Sequence, residues 1–356
     1  MNHIKQIQST LHAHKLDALL LTDPISRRWA TGFSSSAGVV LLTAQLSVFI
    51  TDSRYYEAAS KEIRHAEVQV LKSGDTYENH ILAFVEKQGL SSLGIETARM
   101  THAAYNRLSE KLKHSATALT PSDQLLLSLR QVKSNFELEK IKQAQKITDA
   151  VFADILNIIS PKLTEKELET ELIYRVYKQG GQGLSFPPIV ISGKNSSLPH
   201  GKATNAKLSG FLTLDFGAVY DAYCSDMTRT VCIGTPTDEM LEVYEIVQQA
   251  QQAGITSAKA GISGKEIDTS ARQVIEQKGY GAYFGHGFGH GIGLEVHECM
   301  GASLREENPL PHGSVITAEP GIYLPNKFGV RIEDMLYLGK EKTENLTNSP
   351  KHLLVF

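Results

Sequence analysis

The chain has 356 residues, 41% of them hydrophobic, with 36 Lys and Arg against 39 Asp and Glu and a formal net charge of -3. That length supports two ordinary cores better than one, because single cores stop growing beyond about 250–300 residues. The balanced charge, with no basic stripe interleaved with aromatics, speaks against nucleic acid as a partner. The opening stretch MNHIKQIQSTLHAHKLDALLL lacks an apolar segment before a small-residue cleavage site, and no apolar run reaches the roughly 18 residues of a membrane span. Cys224, Cys232 and Cys299 make no disulfide framework. A cytoplasmic protein without membrane contact is expected.

Residues 17–52 alternate apolar runs with turns: DALLLTD, then AGVVLLTAQLSVFITD, which reads as a hairpin bending near Gln45. EVQVL and LGIE add strands, and helical patterns fall at 55–63, 76–88 and 102–113. SATALTPSD, near 115–123, reads as the exit from a first domain of residues 1–125, leaving 126–356 as the second.

The second region repeats a pattern. Ser134 with Glu137, Thr164 with Glu167 and Ser263 with Glu266 have the spacing of capping boxes, and Thr235-Pro236 opens a further helix. Strands are expected over PPIVIS, FLTLDF, YCSDMTRTVCIG, GSVITAE and GVRIEDMLYL. Helix, helix, paired strands thus occurs over about 134–233 and again over 235–339, with little residue identity between the two. Two such halves would pack their sheets together and leave a cleft.

A turn at Tyr220-Asp221 in LTLDFGAVYDAYCSDMTRT places Asp215 opposite Asp226. Opposed like charges about 4.5–5.5 Å apart repel, so either the register differs, the pair shares a proton, or a cation sits there. A loop centred on Asn326 in YLPNKFG likewise sets Glu319 against Glu333, with Pro320 weakening the pairing. Two hairpins at corresponding positions, each with opposed acids, make two divalent cations the economical answer. Carboxylate ligands favour hard ions such as manganese or magnesium, and one imidazole would move the choice towards a transition metal.

GHGFGHGIGLEVHE, residues 285–298, supplies that imidazole as His290. Its glycines would permit close backbone approach and unusual dihedrals, or mark a flexible loop with incidental histidines. HGFGH lacks the glutamate of the helical zinc motif HExxH, and glycine disfavours that helix. Cys224 and Cys232 read as buried thiols, and Asp221 as a turn residue.

These segments, with SGKNSSLPHG, ITAEPGIY and GVRIED, resemble the metallopeptidase family that includes methionine aminopeptidase, prolidase and Xaa-Pro aminopeptidase. The resemblance implies an α/β two-domain chain: a C-terminal pita-bread (creatinase/aminopeptidase) fold with pseudo-twofold α+β halves, and an N-terminal creatinase/prolidase-type mixed α/β domain. It implies Asp215, Asp226, His290, Glu319 and Glu333 as ligands of two divalent ions, bridged by Asp226 and Glu333. Mn2+ is expected first, with Co2+, Zn2+ or Fe2+ also fitting. His200, His286 and His297 would contact substrate. Arg331 would orient a bound carboxylate and stand beside substrate, or simply pair with Glu333 or Asp334.

The implied reaction is attack on an N-terminal Xaa-Pro bond by water held between the ions, with His200 and His297 steadying the oxyanion and Glu319 a candidate proton shuttle. No GxSxG elbow offers a serine route. Small peptides with proline second are the expected substrates, Xaa-Pro dipeptides included. A strict dipeptidase is the near alternative, and a peptide-binding module that has lost its metals the remote one. The resemblance also implies a homodimer.

Overall fold

A computed structural model describes residues 2–298 and 300–356. Cys299 therefore lies outside the described residues, while Cys224 and Cys232 are buried and form no disulfide among the described residues. The chain forms two compact units, Met1–Leu129 and Arg130–Phe356.

In the first unit, α1 (His3–Thr10) starts where the Asn2 side chain accepts from Lys5 N. After β1 (Ala18–Leu21), α2 (Pro24–Thr31) begins with Asp23 as cap and ends at Gly32 with φ 78°. Neither helix is among the sequence expectations, although Asp23-Pro24 is an ordinary start signal. There follow β2 (Val39–Thr43), β3 (Ser47–Thr51), α3 (Ser53–Glu62), β4 (Glu67–Val70), α4 (Tyr77–Gln88), β5 (Ser92–Ile95) and α5 (His102–Leu112). The stretch expected as an exit contains β6 (Ala118–Pro121), which completes a six-stranded sheet in the order β4-β3-β2-β1-β5-β6. Every residue of β1 is buried, as a central strand covered on both faces requires.

The unit boundary falls within α6 (Asp123–Gln131). Beyond it, α7 (Asn135–Leu156) and α8 (Glu165–Lys178) both begin on reciprocal capping boxes. Strands β7 (Gly183–Leu184), β8 (Ile189–Ser192), β9 (Gly210–Phe216), β10 (Ala218–Tyr220), β11 (Tyr223–Cys224) and β12 (Met227–Ile233) follow. The second half opens with α9 (Asp238–Ser257), capped by Thr237 rather than at Thr235-Pro236, and α10 (Gly264–Gln277), with its own capping box. It closes with β13 (Val315–Ala318), β14 (Gly321–Leu324), β15 (Phe328–Arg331), β16 (Asp334–Leu338) and β17 (Thr343–Asn345). Each half buries its helices on its own strands, and Phe211 of β9 and Cys232 of β12 also join the core of the second half. Phe152, Leu172 and Leu214 share one core, and Val247, Ala271 and Ile316 share the other.

The two acid-bearing hairpins differ from expectation in one respect. In the first, Tyr220 pairs with Tyr223 and Asp215 with Thr228, so the turn residues are Asp221 and Ala222, with φ 48° and 68°. Asp226 therefore does not face Asp215 directly; the register is shifted by two. A shift of two keeps every side chain on its own face, so both acids still point the same way. In the second, Ala318 pairs with Asp334 and Gly321 with Arg331, which sets Glu319 level with Glu333. The ladder opens between those pairs, and the freed amides bond elsewhere: Glu319 N to Phe288 O at 2.7 Å and Glu333 N to Thr228 O at 3.0 Å. The second bond, with Thr230 Oγ1 donating to Arg331 O at 2.9 Å, stitches the two halves together.

Candidate metal centre

Residues 285–298 form no regular helix or strand, and their backbone is threaded through the second half. Thr317 N donates to His290 O at 2.8 Å, and Ile292 N to Val315 O at 3.2 Å. A Cβ at Gly289 would meet Thr317 O at 1.9 Å, and one at Gly291 would meet Glu298 O at 2.1 Å. None of Gly285, Gly287, Gly289, Gly291 and Gly293 has a positive φ. The glycines at 289 and 291 serve close approach rather than a left-handed backbone.

His200, Asp215, Asp226, His286, His290, His297, Glu319, Arg331 and Glu333 all line one cavity of about 960 Å³. Asp215 comes from β9, Asp226 from the link before β12, Glu319 from the link between β13 and β14, and Glu333 from that between β15 and β16. The cavity wall includes Phe186, Pro187, Pro188, Pro199, Val296 and Met300.

One atom each from Asp226, His290 and Glu333 lies within 4.8 Å of the others, a group able to hold a metal ion. His290 Nδ1 lies 3.2 Å from Gly291 O, and a carbonyl only accepts, so Nδ1 carries the proton. Nε2 is thereby aimed at Glu319 Oε1, 3.3 Å away, and Asp226 Oδ2, 3.5 Å away. A ring nitrogen so placed must hold either a second proton or a metal. Burial works against the charged ring, but Asp226 and Glu319 outweigh it and lift His290 to about 9.

The carboxylates show the same need for positive charge. Burial, with the neighbouring acids, lifts Asp226 to about 7 and Glu333 well above the ordinary range. Asp215 is also raised by burial, against the pull of Arg331. Asp215 Oδ1, Asp226 Oδ1 and Glu333 Oε1 are buried with no hydrogen-bond partner among the described residues, an expensive condition for a polar atom. The donor set of acidic oxygens and one imidazole fits hard or borderline divalent ions.

Arg331 pairs with neither Glu333 nor Asp334. Its guanidinium donates to Asp215 Oδ2 at 2.5 Å, Thr228 Oγ1 at 3.0 Å and Tyr323 Oη at 2.7 Å. Asp334 is instead held by Arg229 and Lys351. Arg331 is 4% exposed, so its placement suits orienting Asp215 more than meeting substrate directly. Thr228 also donates to Glu333 Oε2 at 2.7 Å, linking the two acids through one hydroxyl.

His286 Nδ1 faces Gly287 O at 2.9 Å, and its Nε2 lies 2.9 Å from Tyr323 Oη. Burial holds His286 below the ordinary imidazole value, so its ring is neutral and accepts from the tyrosine. His297 and His200 are exposed at the cavity. The His297 ring stands edge-on to His290, centroids 4.1 Å apart.

Thr228, Tyr323 and Thr317 are not among the sequence expectations. Thr317 Oγ1 accepts from His290 N at 3.0 Å and donates to Glu319 Oε1 at 3.1 Å. The two threonines carry a signal in their alternation: Thr228 lies two residues from Asp226, and Thr317 two from Glu319, a spacing that repeats one strand face.

The sequence model of metallopeptidase family M24 matches residues 139–340, and that of the Creatinase/Prolidase N-terminal domain matches residues 3–132. The chain is 35% identical over 356 residues to a Xaa-Pro dipeptidase of Pyrococcus horikoshii, covering 99% of this chain and 98% of that protein. Its structure is similar to that of a Xaa-Pro dipeptidase from Bacillus anthracis, at 40% identity and TM-score 0.95, covering 99% of each chain. It also resembles an X-Pro aminopeptidase from Thermotoga maritima, at 38% identity and TM-score 0.91, covering 99% of this chain and 100% of the other.

Proposed function

The chain belongs to metallopeptidase family M24, and from that membership we propose that it cleaves the bond between an N-terminal residue and proline, in short peptides and Xaa-Pro dipeptides alike. The observation that carries the reading is the convergence of Asp226, His290 and Glu333 on the floor of a cavity with an apolar wall. Asp226 and Glu333 would be shared by two divalent ions, Asp215 completing one set of ligands and His290 with Glu319 the other. Manganese is the first choice, with cobalt, zinc and iron also suited to these donors. Bound ions would supply acidified water and a Lewis acid for the peptide carbonyl.

The chain's own residues do the rest. Glu319, 18% exposed at its side chain, can pass a proton towards the leaving nitrogen. His200 and His297, exposed at the cavity, can donate to the carbonyl oxygen as charge develops there. Phe186, Pro188 and Pro199 offer a surface for a proline ring, whose nitrogen brings no N–H to be satisfied. A homodimer acting in the cytoplasm is part of the same proposal, supported by the family resemblance.

A strict Xaa-Pro dipeptidase is the competing reading, favoured by the names of the Pyrococcus horikoshii and Bacillus anthracis relatives. Kinetics on alanine-proline and on a tripeptide with proline second, after reconstitution with manganese, cobalt or zinc, separate the two. Turnover of both supports the general peptidase, and turnover of the dipeptide alone supports the narrower one. Full activity in protein shown to contain no metal would overturn both.

A further inference from the structure

Glu165 is fully buried at the first turn of α8, yet among the described residues its side-chain partners are all neutral donors. Oε1 accepts from Ser192 N at 2.6 Å and Ser192 Oγ at 3.3 Å. Oε2 accepts from Thr204 N at 2.8 Å and Thr204 Oγ1 at 2.7 Å. Asn195 Nδ2 reaches both oxygens, at 3.2 and 3.1 Å. One oxygen therefore holds the beginning of a loop, the other holds its end, and an amide bridges them.

The backbone of α8 reinforces the second anchor. Glu165 N donates to Ala206 O and Lys166 N to Thr204 O, both at 3.1 Å. Between the two anchors lies His200, at the cavity. Among the described residues the His200 side chain makes no hydrogen bond, so its position is set by the backbone that carries it.

We propose that Glu165 is a positioning residue for the reaction, closing the 192–204 loop so that His200 stands over the metal-binding floor. This rests on the reading of His200 as a substrate contact. An ionised carboxylate only accepts, which suits a ring of donors. Glutamine would turn one oxygen into an NH2 group facing donors, and aspartate would lack the reach to hold both ends.

The test is a double-mutant cycle on metal-loaded enzyme with an Xaa-Pro dipeptide, using Glu165→Gln, His200→Ala and the double variant. Glu165→Gln should lower kcat by about tenfold or more with metal content unchanged. In the His200→Ala background it should change kcat by less than about twofold, because coupled residues are non-additive. Hydrogen exchange should show lost protection confined to the 192–206 segment. Asn195→Ala, which removes the bridging amide, and Thr204→Val, which removes one of the two Thr204 donors to Oε2, carry the same cycle if Glu165→Gln does not fold. An impaired His200→Ala enzyme in which Glu165→Gln still costs its full factor overturns the positioning role alone. A fully active His200→Ala enzyme overturns the substrate reading and this role with it.

Discussion

The Arg331 guanidinium donates to Asp215 Oδ2 at 2.5 Å while Asp215 Oδ1 is buried with no hydrogen-bond partner among the described residues. One oxygen is thus oriented and the other left for a cation. Arg331→Ala should weaken metal binding by about 10–100-fold, the usual cost of losing a group that orients a ligand. Arg331→Lys should restore only part, since an ammonium cannot span Asp215, Thr228 and Tyr323 as the planar fork does. Chelator competition measures the affinity, and wild-type affinity in Arg331→Ala would show that Asp215 needs no such support.

Asp226 should matter to both ions. Its Oδ2 faces His290 Nε2 at 3.5 Å, and its Oδ1 is buried with no hydrogen-bond partner among the described residues. Asp226→Ala should lose both equivalents of metal and the peptidase activity together. Plasma mass spectrometry of the purified variant checks this, and two retained equivalents would rule out a shared ligand.

Local chemistry is readable in this sequence and long-range geometry is not. The capping boxes at Ser134, Thr164 and Ser263 form as their spacing predicts, because every bond involved lies within four residues. The register at Glu319 and Glu333 is readable from the loop at Asn326, whose φ is 61°. The other hairpin is shifted by two from its expected register because Asp221-Ala222 carries no glycine or asparagine to mark two positive φ angles. The shift leaves the site intact, since alternation has a period of two. Arg331 finds Asp215 across 116 residues, a pairing that spacing could not disclose. Glu165 reads as one more acid at a helix start, where the dipole favours it, and only the folded loop reveals its donors.

His297 is exposed, and its ring packs against that of His290 without belonging to the buried acidic cluster. His297→Ala should keep its metal while kcat falls by about 10²–10³-fold, the range for losing one group that stabilises an oxyanion. Kinetics with parallel metal analysis separates the two effects. Loss of metal from a folded variant would make His297 a ligand.

Next to it, Glu298 is held by Lys133 at 2.6 Å and by Arg130, all three side chains being buried. Burial raises the Glu298 carboxyl, but Lys133 and Arg130 outweigh it and hold it below the usual range. Its stabilisation is therefore present above the unfolded carboxylate value and lost as pH falls through the folded one. Glu298→Gln takes the carboxylate from buried Lys133 and leaves Arg130 with Glu295 alone, and should cost about 3–5 kcal/mol in urea unfolding at neutral pH. The loss should shrink on acidification, and an equal loss at every pH would contradict an ionised Glu298.

The metal centre should titrate in the opposite direction. Asp226, at about 7, and His290, at about 9, have folded values raised above their ordinary ones. In metal-free protein their contribution is full below the unfolded values and fades as pH rises through the folded ones. A ligand must also shed its proton before it can bind an ion. Rising pH thus weakens the metal-free fold and removes the competitor for metal, and both effects widen the gap between loaded and stripped protein. The gain in Tm on adding manganese to chelator-treated enzyme should grow from about pH 6 towards pH 9. Differential scanning fluorimetry across that range measures it, and a gain that is flat or falls with pH would mean that these two groups do not surrender protons to the ion.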